Sequence, residues 1–256
     1  HAQVPVILQG PSGLHLVRVG VAFHQYVQVL LVLNGLGQFH DQVAALGVNG
    51  VAAALEEQLV LHAAKGLDPG DRETLEVKVA PGGAESILKY LGPAAMVSGD
   101  EVFVLLDGDQ KKVKEFSDPA QIAPAEHAQL DSRIKQELGF EPQYHIQGGR
   151  DEAAHKKAKI KAQLSYLAWL RKHLDFFPRQ LPEHIILEAF EPTRRHSDAG
   201  SIDAKAALKK LLSGSAEIEP SAEEVTTLAR FKIAEIPQDN ADLTTIRECL
   251  QKWLHG

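Results

Sequence analysis

The sequence predicts an α/β fold, a Rossmann-like and mostly parallel sheet with a C-terminal helical tail, and three stretches predict it. "LEVKVA" (75–80) alternates like a strand, "PGGAESILKYLG" (81–92) turns and becomes helical, and "EVFVLLD" (101–107) is an unbroken apolar run. Such a run belongs to a parallel strand covered on both faces. Strand, helix, strand is the βαβ signature, and helices on both sides of an open sheet follow from it.

Residues 1–70 precede that unit and differ from it in texture. They hold two basic residues, Arg18 and Lys65, and four acidic ones, Asp41, Glu56, Glu57 and Asp68, out of 27 and 34 in the chain. Short apolar runs broken by "QGPSG" and "NGLGQ" predict strands near 3–8, 15–23 and 26–33. Two accounts fit this charge-poor stretch: a small β-rich unit, or a truncated or out-of-frame segment without a selected fold. "VAAALEEQLVLHAAKG" within it reads as an amphipathic helix.

Residues 71–192 form the α/β domain. Within it, residues 85–91 make a short helix, and the next helix carries Leu130, Ile134 and Leu138 at a spacing of four, with Gly139 as its C-cap. "PQYHIQGG" reads as one more short strand. "DEAAHKKAKIKAQLSYLAWLRKHL" is a helix with Ile160, Leu164, Leu167 and Leu174 on its apolar side. Phe176 and Phe177 read as buried, and Pro182 suits the first position of a further helix. Residues 193–256 are the helical tail. After a linker, "SAEE" at Ser221 is a capping box that opens a helix to about Ala234. The last helix packs Ile246, Leu250 and Trp253 inward.

Composition excludes several classes. The chain has 256 residues, 44% apolar and 24% charged, enough for a sizeable core. A net charge of −7 argues against a basic nucleic-acid module, although a metal can supply the charge that phosphates need. The single cysteine, Cys249, rules out an internal disulfide and any multi-cysteine zinc site, and no acid–base pair surrounds it for thiol chemistry. There is no basic-start signal segment, and the most apolar run is too short to span a bilayer. The chain reads as soluble and cytoplasmic, without a membrane partner.

Chemistry concentrates at "DGD". Ligands of an open parallel sheet bind beyond the carboxyl ends of its strands, and Asp107 and Asp109 stand there, with Gly108 free to take whatever dihedral their convergence requires. Two converging carboxylates repel unless a cation lies between them, and hard oxygen donors suit Mg²⁺ or Mn²⁺. The plainer alternative is a polar turn closing a strand.

"LEVKVAPGGAESILKYL", "VFVLLDGDQKK" and "LSYLAWLRKHLDFFPRQLPEHIILEAFE" together resemble the Toprim (topoisomerase-primase) domain of the overcoming-lysogenisation-defect (OLD) family of ATPase-nucleases and related bacterial anti-phage defence ATPases. The likeness covers about residues 73–192. It implies a Mg²⁺-dependent (or Mn²⁺-dependent) nuclease acting on DNA or RNA, with Asp107 and Asp109 as catalytic metal ligands. It implies a glutamate upstream, for which Glu56 or Glu57 are the candidates, Glu57 being carried as the catalytic one. It also implies a further metal ligand in Glu183 after the proline. The alternatives are solvated helix charges for the first pair and a helix-dipole partner for Glu183. No "GxxxxGK[ST]" occurs, so the ATPase partner that the resemblance implies lies outside these residues and the likeness is to a C-terminal fragment.

Lys156, Lys157 and Lys161, with Lys159, form a basic cluster that could hold a nucleic-acid backbone, the alternative being a solvated helix face. Tyr166 and Trp169 could stack on bases or pack inside. His145 and His155 could join a metal site, but no HxH or HExxH spacing supports it. Two classes therefore stand: a metal-dependent endonuclease, and a non-catalytic Toprim-like or incomplete product acting as an assembly module, with homo-oligomerisation open to either.

Overall fold

The computed structural model describes residues 2–10, 13–21, 27–32, 53–80, 83–98, 101–144, 146, 151–192, 200–214 and 220–255. Strands β1 (Ala2–Gly10) and β2 (Gly13–Val21) form an antiparallel hairpin of their own, with Ala2 opposite Val21. β3 (Val27–Val32) leaves it for a second sheet. Helices α1 (Ala53–Ala64) and α2 (Pro69–Thr74) then lead to β4 (Leu75–Ala80). A crossover of α3 (Ala84–Ser86), a π turn (Ile87–Leu91) and α4 (Gly92–Ser98) returns to β5 (Val102–Leu106). α5 (Leu130–Leu138) and α6 (Glu152–His173) connect β5 to β6 (Leu174–Phe176). The chain ends in α7 (Pro182–Phe190), α8 (Ser201–Ser213), α9 (Ala222–Glu235) and α10 (Ala241–His255).

The second sheet has the order β4-β3-β5-β6, and every neighbouring pair is parallel. This is the α/β architecture that the apolar run of β5 foretells. Because successive side chains of a strand point to opposite faces, Phe103 and Leu105 enter one core and Val104 and Leu106 the other. The first core is closed by α1, α7, α8, α9 and α10, and the second by α3, α4, α5 and α6. α1, between β3 and β4, thus lies on one face and the helices of the two rightward connections on the other, the arrangement that right-handed crossovers give. The strand order reverses between β3 and β5, and the carboxyl ends at such a switch point are where ligands of open α/β sheets bind.

Several local expectations hold. β4 occupies 75–80, and α5 ends on Gly139, whose φ of 89° is left-handed and suits glycine. Ser221 and Glu224 form the reciprocal capping box of α9. Pro182 is at the start of α7, and Ile246, Leu250 and Trp253 are buried on α10.

Others need correction. Residues 142–144 and 146 are not a strand; the fourth strand is β6, three residues immediately after α6, so Leu174 belongs to the sheet and not to the helix. Part of the expected linker is α8. Of residues 1–70, strands β1, β2 and β3 fall where strands are expected and β1 and β2 pair only with each other, whereas β3 is an inner strand of the second sheet and Leu59, Val60 and Ala63 of α1 lie in the first core.

Tyr166 and Trp169 are buried, not offered for stacking on bases. The Tyr166 hydroxyl donates to the Leu88 carbonyl, which the π turn leaves without its usual helical partner. Their rings begin a column: Tyr166 stacks on Trp169 (5.8 Å), Trp169 on His173 (5.3 Å), His173 on Phe103 (4.8 Å) and Phe103 on Trp253 (5.0 Å). The His173 Nδ1–H donates to the Val102 carbonyl at 3.0 Å, and burial holds the imidazole below its ordinary pKa, so it stacks as a neutral ring.

Candidate functional site

β5 delivers Asp107 to the carboxyl edge of the sheet, only 2% exposed. The chain then makes a single 3-10 turn, Gly108–Gln110, with Gln110 N–H donating to the Asp107 carbonyl at 3.0 Å. The strap that follows β6 clamps this turn. Phe177 N–H donates to Leu106 (2.7 Å), Gly108 N–H to Arg179 (3.2 Å) and Asp109 N–H to Gln180 (3.1 Å), which extends the β5–β6 pairing past the strand ends. Glycine is required at 108 for space and not for a special dihedral. A Cβ there would lie 2.3 Å from the Arg179 carbonyl oxygen.

The strap is itself anchored. Arg179 Nε donates to both Asp242 oxygens at 3.0 Å, and its Nη2 is 2.9 Å from Glu188 Oε2. The chain runs from the strap into α7, whose first turn carries Glu183, 6% exposed. Opposite, the first turn of α1 carries Glu56, 4% exposed. Glu56 shares its helix face with Leu59, Val60 and Ala63, at the i, i+3, i+4, i+7 spacing of an inward stripe. Glu57 lies off that stripe and is half-buried.

Glu56, Asp107 and Glu183 influence one another electrostatically, and Lys205 of α8 supplies the opposing positive charge to all three. Burial, reinforced by the Asp107 and Glu183 carboxylates, holds Glu56 well above the usual carboxylate range. Asp107 is pushed up to about 8, first by burial and then by Asp109 and Glu183, with Lys205 opposing. Glu183 is raised by burial, against its own backbone N–H and Lys205. Asp109 is exposed, and its carboxylate accepts from Gln110 Nε2 at 2.8 Å.

Two buried oxygens here, Glu56 Oε2 and Asp107 Oδ1, have no hydrogen-bond partner among the described residues. A buried carboxylate oxygen without a donor costs roughly 1–3 kcal/mol or more, so such atoms ask for a proton or a cation. Among the described residues, no group of three or more His, Cys, Asp or Glu side chains is arranged to hold a metal ion by itself. A cation here would need its shell completed by water or by phosphate oxygens. Mg²⁺ is habitually held in that way, by one or two carboxylates with waters and substrate phosphates.

The remaining sequence candidates lie apart. Lys156, Lys157 and Lys161 are exposed along α6, and Lys159 is paired with Asp131 at 2.7 Å. His155 is exposed on the same helix, and His145 lies outside the described residues. The Cys249 thiol is pushed up by burial and by Asp175, the opposite of an activated nucleophile.

Lys205 was hidden from sequence reading because it sits in a stretch that reads as linker. Its signal is the periodicity of Ala204 and Leu208, which makes that stretch a helix. Among the described residues no helix is long and apolar enough to cross a membrane. In comparison with known proteins, no family model, no curated protein and no solved structure matches the chain.

Proposed function

We propose that the chain is a Toprim-type, Rossmann-like nuclease module that hydrolyses phosphodiester bonds of DNA with Mg²⁺ or Mn²⁺. The observation that carries this reading is the set of buried carboxylates beside the carboxyl end of β5, Glu56, Asp107 and Glu183, two of them with unpartnered oxygens. Asp107 and Glu56 would hold the cation, with Asp109 facing solvent to complete the acidic edge. When bound, the ion would lower the pKa of a water and neutralise charge on the phosphate.

The residues of the chain supply the rest. Lys205 brings a fixed positive charge to the same edge, where it can meet a phosphate oxygen. Glu183, whose pKa burial raises, can exchange a proton with water at its carboxyl. The strap, through Arg179, keeps the turn rigid. On this reading an ATPase domain would accompany the module in the cytoplasm.

A second reading, a non-catalytic module, is favoured by one observation: Lys205 already neutralises part of the cluster, so the fold can stand without a metal. Plasmid nicking separates the two. The expected result is relaxation of supercoiled DNA in Mg²⁺ or Mn²⁺ that disappears in Asp107→Asn and in Glu56→Gln with circular dichroism unchanged. A wild-type chain that neither nicks DNA nor gains thermal stability from either ion leaves only the scaffold.

A further inference from the structure

The molecule carries a net charge of −7, yet one cleft of about 340 Å³ gathers four cations. Lys111 and Lys114 come from the segment after the 3-10 turn, Arg171 from the end of α6 and Lys252 from α10. Two carboxylates line it as well, Glu115 and Asp175. Asp175 is already engaged: its Oδ1 accepts from the Phe176 N–H at 3.0 Å, and its Oδ2 is 3.6 Å from Lys252 Nζ. Arg171 spends one donor on the Phe116 carbonyl at 2.5 Å and has others to offer. Lys111 Nζ lies 5.7 Å from the centre of the half-buried Phe176 ring, which gives the cleft one aromatic face.

Its position is as informative as its charge. Phe176 is the register partner of Leu106, the residue before Asp107, and Lys111 N–H donates to the Gly108 carbonyl. The cleft therefore begins one turn from the buried acids, along the outer edge of β6. We infer that this cleft holds the phosphates of a single-stranded DNA segment running to or from the acidic edge, with Lys111 and Lys114 as its principal contacts and Phe176 as a stacking face. Cations beside an aromatic ring are how sequence-independent strand binding is built, and a polyanion is the ligand that a basic cleft in an acidic protein selects.

The inference rests on the nuclease reading for the strand's destination, but its test is separate. Binding of a fluorescein-labelled single strand of about 16 nucleotides, the upper site size of OB-fold strand binders, is followed by anisotropy in EDTA, so that no cleavage occurs. Lys111→Gln/Lys114→Gln is expected to weaken binding about tenfold and to flatten the plot of log affinity against log salt by about 1.4, two single-strand phosphate contacts. Lys78→Gln/Lys135→Gln, the same loss of charge elsewhere, leaves both unchanged.

Inorganic phosphate added at the ionic strength of the control should compete weakly. Full competition at equal phosphate concentration would make the cleft a free-anion site and overturn the strand assignment. No binding by the wild-type chain at low salt, or a loss confined to Lys156→Gln/Lys157→Gln on α6, also overturns it. Strand binding that depends on Lys111 and Lys114 in a chain that never nicks DNA upholds the cleft and sinks the nuclease. Nicking with unaltered binding in the double variant does the reverse.

Discussion

Asp107 is the residue at which stability and chemistry pull apart. Its folded-state pKa, about 8, is raised from 3.8, so without a cation the fold prefers the protonated acid. The sign follows from linkage. Stability is complete below the unfolded pKa and is lost as pH rises toward 8, with a slope of at most about 1.4 kcal/mol per pH unit for this group. Burial raises Glu56 and Glu183 in the same direction. Asp107→Asn is therefore expected to be more stable than the wild type in EDTA near pH 8 and equal to it near pH 4, as urea unfolding at the two values checks. Gly108 tolerates no such change. Gly108→Ala sets a methyl 2.3 Å from the Arg179 carbonyl oxygen, so a loss of about 1–3 kcal/mol is expected in the same urea experiment. The aspartates of this turn are legible in sequence because an apolar run ending on acids is rare. The reason for the glycine is not, because its neighbour is a backbone atom seventy-one residues away. The choice of Glu56 over Glu57 was available from helical phase alone, through Leu59, Val60 and Ala63.

Among the elements, β6 and the strap after it decide the geometry of the acidic edge. Three residues of strand carry too little pattern to announce themselves, and "LDF" directly after a 22-residue helix reads as more helix. What makes it a strand is tertiary: β5 presents an unpaired edge, and Val104, Leu105 and Leu106 take Leu174, Asp175 and Phe176 as partners. Arg179 then ties the strap to α7 and α10. Asp242 is buried, so Arg179→Ala leaves its carboxylate without this partner. A loss of about 2–3 kcal/mol is expected, below the full value for a buried pair because Arg179 is itself 36% exposed. Arg179→Lys restores the charge but not the two-oxygen contact, and should recover only part of the thermal midpoint. Longer elements such as β4, α5 with Gly139 and α9 with its capping box were readable because each carries its own start, period or stop.

At the scale of the whole molecule, the sheet explains why composition misleads about boundaries. The charge-poor stretch supplies β3, an inner strand, and α1, which is packed among four other helices and the sheet. An inner strand and a buried helix need few charges, which is the texture that reads as foreign when seen alone. The two cores it helps to separate are joined by the ring column, for Trp253 belongs to one, Trp169 to the other, and Phe103 with His173 bridges them. Both indole reporters of the chain thus stand on a single mechanical link. Melting either layer pulls the stack apart at its middle, so tryptophan emission and far-ultraviolet ellipticity are expected to fall together on heating, each layer sensing the failure of the other.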